Sequence, residues 1–375
     1  MMARSWRWSF FSLPLLLCSS ALASTGEVAP GAGGIGERMP LLILQLAAIL
    51  CAAKLGGHIC TRYLKVPEVL GELGAGILIG PYAFGSLAGL FPLPEAGGFP
   101  ISPELYGIAT LASIVLLYLA GLETDLSMFL RFSVAGSLVG AGGVIFSFAL
   151  GDVVAVWTGM AESYMSPAAL FLGTISTATS VGITARILSE RNKLDSAEGV
   201  TILAGAVIDD VLGIVILALV VGLARASRGG DSVEWGGIAL IAGKALGFWI
   251  VCTTLGILLA RHLGKALEFF RSRETMASVS LGLALLLAGL SEHAGLAMII
   301  GAYIMGLSLS RVDCAHELQR RLEPVYQTLV SVFFCVMGML VNVPAMKPLL
   351  VAGLIFSLVA VVAKVVGCAL PAAFM

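Results

Sequence analysis

The chain alternates long apolar runs with short polar breaks, from about residue 40 to its end. Eleven runs stand out, near 40–61, 66–85, 104–122, 132–157, 168–188, 198–223, 236–260, 275–291, 294–310, 325–342 and 349–370. Most approach or exceed the roughly 20 residues that a helix needs to cross a hydrocarbon core. The pattern predicts an all-α polytopic membrane protein, one membrane domain filling 40–375, with no segment large enough for a separate soluble domain. The first two dozen residues read differently. Arg4 and Arg7 precede the apolar stretch Phe10–Cys18 and then Ala21-Leu22-Ala23. That is the three-part pattern of a cleavable signal peptide, placed here at 1–23, followed by a periplasmic leader over 24–39.

Composition agrees with a membrane class. The chain is 58% hydrophobic and 12% charged, with a mean hydropathy of +1.00, whereas soluble domains carry about 25% charged residues. A net charge of -1 without a basic tail offers nothing for nucleic acid. The seven cysteines lie in or beside apolar stretches without CxxC spacing, so they read as small packing residues rather than metal or disulfide partners. Basic residues are unevenly shared. One set of loops carries Arg62, Lys65, Arg131, Arg186, Arg191, Lys193, the Arg261–Arg273 cluster, Arg311, Arg320 and Arg321; the opposite set has Arg225, Arg228 and Lys347. The richer set is expected to be cytoplasmic, which leaves the mature N-terminus in the periplasm and agrees with a cleaved signal peptide.

Against this apolar background a few polar positions carry the candidate chemistry. Asp209 and Asp210 fall near the middle of the run 200–221, where each acidic side chain costs about 2.5–3.5 kcal/mol on insertion scales. Neighbours on a helix point about 100° apart, so the two suit different roles, one pairing with a fixed cation and the other opening to a water-filled cavity. Like charges this close also split their protonation. Lys364, buried in the last run, is the available cation, whereas Lys54 and Lys244 lie nearer helix ends and are expected to snorkel. The fifth run contains Gly173-Thr174-Ile175-Ser176-Thr177-Ala178-Thr179-Ser180-Val181-Gly182. This cluster weakens helix propensity and supplies hydroxyls, and it reads either as close helix packing or as a broken helix whose freed carbonyls hold a cation. Glu72, Glu123, Asp125, Glu292 and His293 are weaker signals; Glu72 reads as a residue lining an access route or capping a helix, and Glu292 and His293 as lying between two spans. An intramembrane aspartyl protease would bring two carboxylates together from different helices. Neighbouring aspartates on one helix, without a G-x-G-D segment, do not fit that chemistry.

Six ordered segments make the pattern specific: VPEVLGELGAGILIGP (66–81), LYLAGLETDL (117–126), ISTATSVGITARILSE (175–190), GAVIDDVLGIVILALV (205–220), IIGAYIMGLSLS (299–310) and VSVFFCVMGMLVNV (330–343). Together they resemble the monovalent cation:proton antiporter family 2, the Kef-type or NapA-like group of sodium/hydrogen exchangers. The resemblance implies an inverted-repeat fold with crossed broken helices that works by alternating access as a homodimer in the bacterial inner membrane. It implies that Na⁺ or K⁺ competes with H⁺ for Asp210, that Asp209 pairs with Lys364, and that Thr179 and Ser180 sit where the broken helix unwinds. No cofactor is implied beyond the transported ions. The family pattern continues for two more helices after the eleventh, so the fold is expected to lack the last two. An inactive or partial antiporter, or a Kef-type K⁺ efflux system, is the alternative reading.

Overall fold

The computed structural model describes residues 35–374 apart from 88, 94–97, 125, 165, 228–234 and 271. The expected signal peptide, most of the leader, Asp125 and Arg228 lie outside the described residues. Among those residues all regular structure is helical: α1 (Ile35–Ile59), α2 (Glu68–Ile79), α3 (Pro103–Glu123), α4 (Leu126–Trp157), α5 (Pro167–Thr177), α6 (Val181–Glu190), α7 (Ala197–Ser227), α8 (Trp235–Glu268), α9 (Arg273–His293), α10 (Met298–Leu309), α11 (Ala315–Met339) and α12 (Leu350–Ala373), besides single-turn pieces. Among the described residues, eight helical stretches are long and apolar enough to cross a membrane, nine with α8, which bends by 54° between Ala260 and His262.

Every apolar run of the sequence carries helix, and the departures have local causes. The first helix begins at Ile35, taking in the last five residues of the expected leader, with Pro40 inside it. The second run is broken after Ile79, because Gly80 turns extended (φ -71°, ψ 173°) ahead of Pro81, and only a single helical turn follows at Phe84–Leu87. The ninth is entered through Gly295, at φ 83°, and its helix is 12 residues long. Twelve residues span about 18 Å, short of a hydrocarbon core of ~30 Å. Glu292 and His293 are the final residues of α9 rather than a connection between spans.

The chain divides into two compact units, one formed by residues up to Leu111 with Thr328–Ala345, the other by Ala112–Gln327 with Met346–Met375. In the first, Ile49 and Ala53 of α1 share a core with Phe91, Leu105, Val336 and Met339. Glycine sets its helix crossings. A Cβ on Gly71 would stand 2.2 Å from the Gly56 carbonyl oxygen, and one on Gly76 would stand 1.9 Å from that of Cys335. Backbones that approach this closely gain dispersion contact, which has to drive helix association where lipid is as apolar as leucine.

In the second unit α4 is the hub. Gly136 and Gly140 meet Ala204 and Gly205 of α7, Gly142 and Gly143 meet Gly367 and Cys368 of α12, and Gly151 meets Gly173 and Ser176 of α5. One glycine-lined helix thereby holds α5, α7 and α12 around itself. Asp209 and Asp210 sit on α7, Lys364 on α12, and Thr179 and Ser180 just beyond the end of α5.

Candidate ion-binding site

The fifth run breaks because its own side chains compete for its backbone. Ser166 opens α5 by accepting a hydrogen bond from the Ala169 amide, with Pro167 at the first helical position. Three turns later hydroxyls crowd the carbonyls: Thr174 Oγ1 donates to Leu170 O at 2.8 Å, Ser176 Oγ to Gly173 O at 2.7 Å, and Thr177 Oγ1 to Thr174 O at 2.8 Å. The helix ends at Thr177, and residues 178–180 are extended. Ser180 then starts α6 by accepting from the Ile183 amide at 3.3 Å. The carboxyl end of one short helix thus meets the amino end of the next across three residues, and its last carbonyls lie outside the helical ladder.

Into this break reaches Lys364 of α12. Its Nζ donates to Thr177 O at 2.9 Å and to Asp209 Oδ1 at 2.7 Å. Gly143 of α4 presents no side chain to the lysine stem, since a Cβ there would stand 3.4 Å from both Cδ and Cε. The pair is unequally buried: the Asp209 side chain is 2% exposed and that of Lys364 23%. Thr179 lies within electrostatic reach of Asp209 through its amide and hydroxyl, but neither closes a hydrogen bond, and Asp209 Oδ2 has no partner among the described residues. Asp210 is half-buried and lies within reach of both the Asp209 and the Lys364 charges. Among the described residues no hydrogen bond or ion pair engages its carboxylate.

Of the five residues singled out in the sequence, the structure brings Asp209 and Lys364 into direct contact and sets Asp210 beside them. Thr179 faces Asp209, whereas the Ser180 side chain is spent on capping α6 and is exposed. The Thr177 carbonyl was not foreseen; a backbone acceptor leaves no mark in a pattern of side chains. Ser147 and Asp152 of α4 are further buried polar residues that the sequence reading passed over. The Ser147 carbonyl accepts from Ser176 at 2.6 Å and ties α4 to the break. Lys54, expected to snorkel, instead pairs with Glu68 and Glu72 in the first unit.

A buried aspartate–lysine pair, a second aspartate beside it and a helix opened next to both have the character of a membrane carrier site for a small cation. The comparisons with known proteins place it further. A family model for the transmembrane domain of sodium/hydrogen exchangers matches residues 46–375, and the chain belongs to that family: it is a secondary transporter, not an enzyme. It is 33% identical over 358 residues to the high-affinity Na⁺/H⁺ antiporter NhaS3 of Synechocystis sp., covering 87% of this chain and 75% of that one. It is 31% identical over 325 residues to the Na⁺/H⁺-K⁺ antiporter GerN of Bacillus cereus, covering 86% and 78%. Its fold resembles that of the sodium proton antiporter MjNhaP1 from Methanocaldococcus jannaschii, with a TM-score of 0.66 at 19% identity, over 89% of this chain and 77% of that one.

Proposed function

We propose that this antiporter exchanges a monovalent cation, Na⁺ or K⁺, for protons through competition of the two at Asp210. The observation that carries the reading is the Lys364–Asp209 contact of 2.7 Å beside an unengaged Asp210 at a helix break. In this scheme the Lys364 ammonium neutralises Asp209 while Asp210 holds a proton. A cation entering the break loses hydration water and takes oxygen ligands from Asp210, Asp209 and the residues around Thr179, and the ammonium is released from Asp209. Proton return reverses the exchange. The names of the relatives, one a Na⁺/H⁺ and one a Na⁺/H⁺-K⁺ antiporter, support the ion class.

The loop charges support a multi-pass protein of the bacterial inner membrane with its mature N-terminus in the periplasm, and the family resemblance supports a homodimer. The test is cation-driven recovery of a preformed pH gradient in everted vesicles, comparing Na⁺, K⁺ and Li⁺. Asp210→Asn is expected to abolish the recovery. Normal exchange by that variant would refute competition at Asp210.

A further inference from the structure

Ser147 of α4 is wholly enclosed, and its Oγ has no hydrogen-bond partner among the described residues. A buried hydroxyl on a helix can return its proton to a carbonyl three or four residues back, as Thr174, Ser280, Ser291 and Ser308 do at 2.7–2.9 Å. Ser147 does not, so its oxygen has lost water without a replacement, and a buried polar atom in that condition calls for a partner. Its place in the fold is specific. Residues 136, 140, 143 and 147 follow one face of α4 at helical spacing. On that face Gly136 and Gly140 meet α7 at Thr201, Ala204 and Gly205, and Gly143 meets the stem of Lys364. Ser147 stands one turn past the lysine stem, and its own carbonyl accepts from Ser176 of the broken helix at 2.6 Å. The hydroxyl is thus bracketed by the ion pair and the break. A second orphan belongs to the same setting: Asp209 Oδ2 of α7 is also enclosed and without a partner.

We propose that the Ser147 hydroxyl is a further ligand of the transported cation, held together with Asp209 once the Lys364 ammonium withdraws. This role rests on the exchange proposed above and adds a ligand to it. A cation leaving water needs oxygen dipoles in place of its hydration shell, and a neutral hydroxyl supplies one without adding charge. The ammonium, bonded to Thr177 O and Asp209 Oδ1, leaves Ser147 Oγ and Asp209 Oδ2 unanswered. An ammonium has three directed N–H donors, whereas a bare ion draws oxygens from every side. The two orphan oxygens are therefore what the lysine-bound state lacks and the ion-bound state satisfies. Leaving them unsatisfied raises the energy of the empty site and favours exchange of the lysine for the ion. A serine hydroxyl carries no charge and takes up no proton here, so its contribution falls on the cation side of the competition alone.

The test uses the full chain in detergent and follows the thermal unfolding midpoint in NaCl or KCl against choline chloride, at equal ionic strength and alkaline pH. The native chain fixes which salt raises the midpoint and at what half-saturation. Ser147→Ala is expected to raise the half-saturating concentration of that cation about tenfold. Its midpoint in choline chloride should hold or rise, because an orphan hydroxyl is gone. A hydroxyl with a purely structural role would give the reverse, a lower midpoint in choline chloride and an unmoved half-saturation. Ser147→Cys keeps the bulk but offers soft sulfur in place of hard oxygen, and is expected to weaken the cation as alanine does. A cysteine variant with native half-saturation would reduce the role to space filling and overturn the proposal. Asp210→Asn in the same assay separates the site as a whole from this one ligand. Loss of the cation response in that variant beside an unmoved Ser147→Ala overturns the role of Ser147 alone. A response that survives Asp210→Asn but weakens in Ser147→Ala supports the ligand and sinks competition at Asp210. Absence of a response to either salt in the native chain also overturns the proposal, and the exchange itself is then judged by the vesicle assay.

Discussion

Replacing Lys364 by methionine keeps the stem that packs along Gly143 and removes only the charge. Two groups then lose their donor: Asp209 Oδ1, on a side chain that is 2% exposed, and the carbonyl of Thr177. Breaking a buried pair from one side costs about 3–5 kcal/mol. Protonation of Asp209 would recover part of that, leaving an expected loss of about 2–4 kcal/mol at neutral pH. Asp209→Asn should cost less, about 1–2 kcal/mol, because the ammonium it abandons is 23% exposed and keeps its bond to Thr177. In the double variant neither partner is stranded, so the two losses should not add. The coupling read from a double-mutant cycle should favour the intact pair by about 1–3 kcal/mol. Reversible unfolding of the four proteins in mixed micelles measures all of these terms. Additive losses, or an Asp209→Asn loss larger than that of Lys364→Met, would refute the reasoning from burial.

The remaining predictions concern the frame around the pair. Gly142→Ala sets a Cβ 2.4 Å from the Gly367 carbonyl oxygen, an overpacking expected to cost about 1–3 kcal/mol and to lower folded yield on size-exclusion chromatography. Gly353→Ala, on the same helix as Gly367 but with nothing within 4 Å, should instead stabilise by up to about 1 kcal/mol through helix propensity. Arg186 is buried and donates to Glu190 at 2.9 Å, Tyr326 Oη at 3.0 Å and Gln327 Oε1 at 3.2 Å. A lysine there cannot reproduce that fork, so Arg186→Lys should cost about 2–3 kcal/mol, seen as a lowered unfolding midpoint.

The sequence carried the helices because each is a local fact: an apolar run of sufficient length, bounded by its own Gly, Pro and charged residues. It carried the expectation that Lys364 meets one of the adjacent aspartates for a similar reason, since charges stranded in hydrocarbon have few alternatives to each other; that the partner is Asp209 was implied by the family resemblance alone. It did not carry Lys54 with Glu68 and Glu72. There several charges sit near helix ends, and the choice between solvent and partner depends on the crossing of Gly56 over Gly71, which hydropathy does not encode. The same holds for the ends of α2 and α10, where backbone turns at Gly80 and Gly295 shorten helices that composition alone would extend. The break after Thr177 was legible as a weakness, through its hydroxyl and glycine content. That its last carbonyl would receive the lysine depends on how α12 packs on α4.

The unequal burial of the pair also has an electrical meaning. Asp209 is enclosed by its surroundings, while the positive charge rides on a four-carbon arm that is 23% exposed. If one of the two relocates during exchange, it is the ammonium. Moving a unit charge through the whole membrane potential is worth about 2.3 kcal/mol per 100 mV, and a swing across a fraction of that depth is felt in proportion. The arm is thus a built-in voltage probe. Its displacement would register as a brief capacitive current on a solid-supported membrane, ahead of any steady turnover, and Lys364→Met would silence that current even in a protein that still binds the ion.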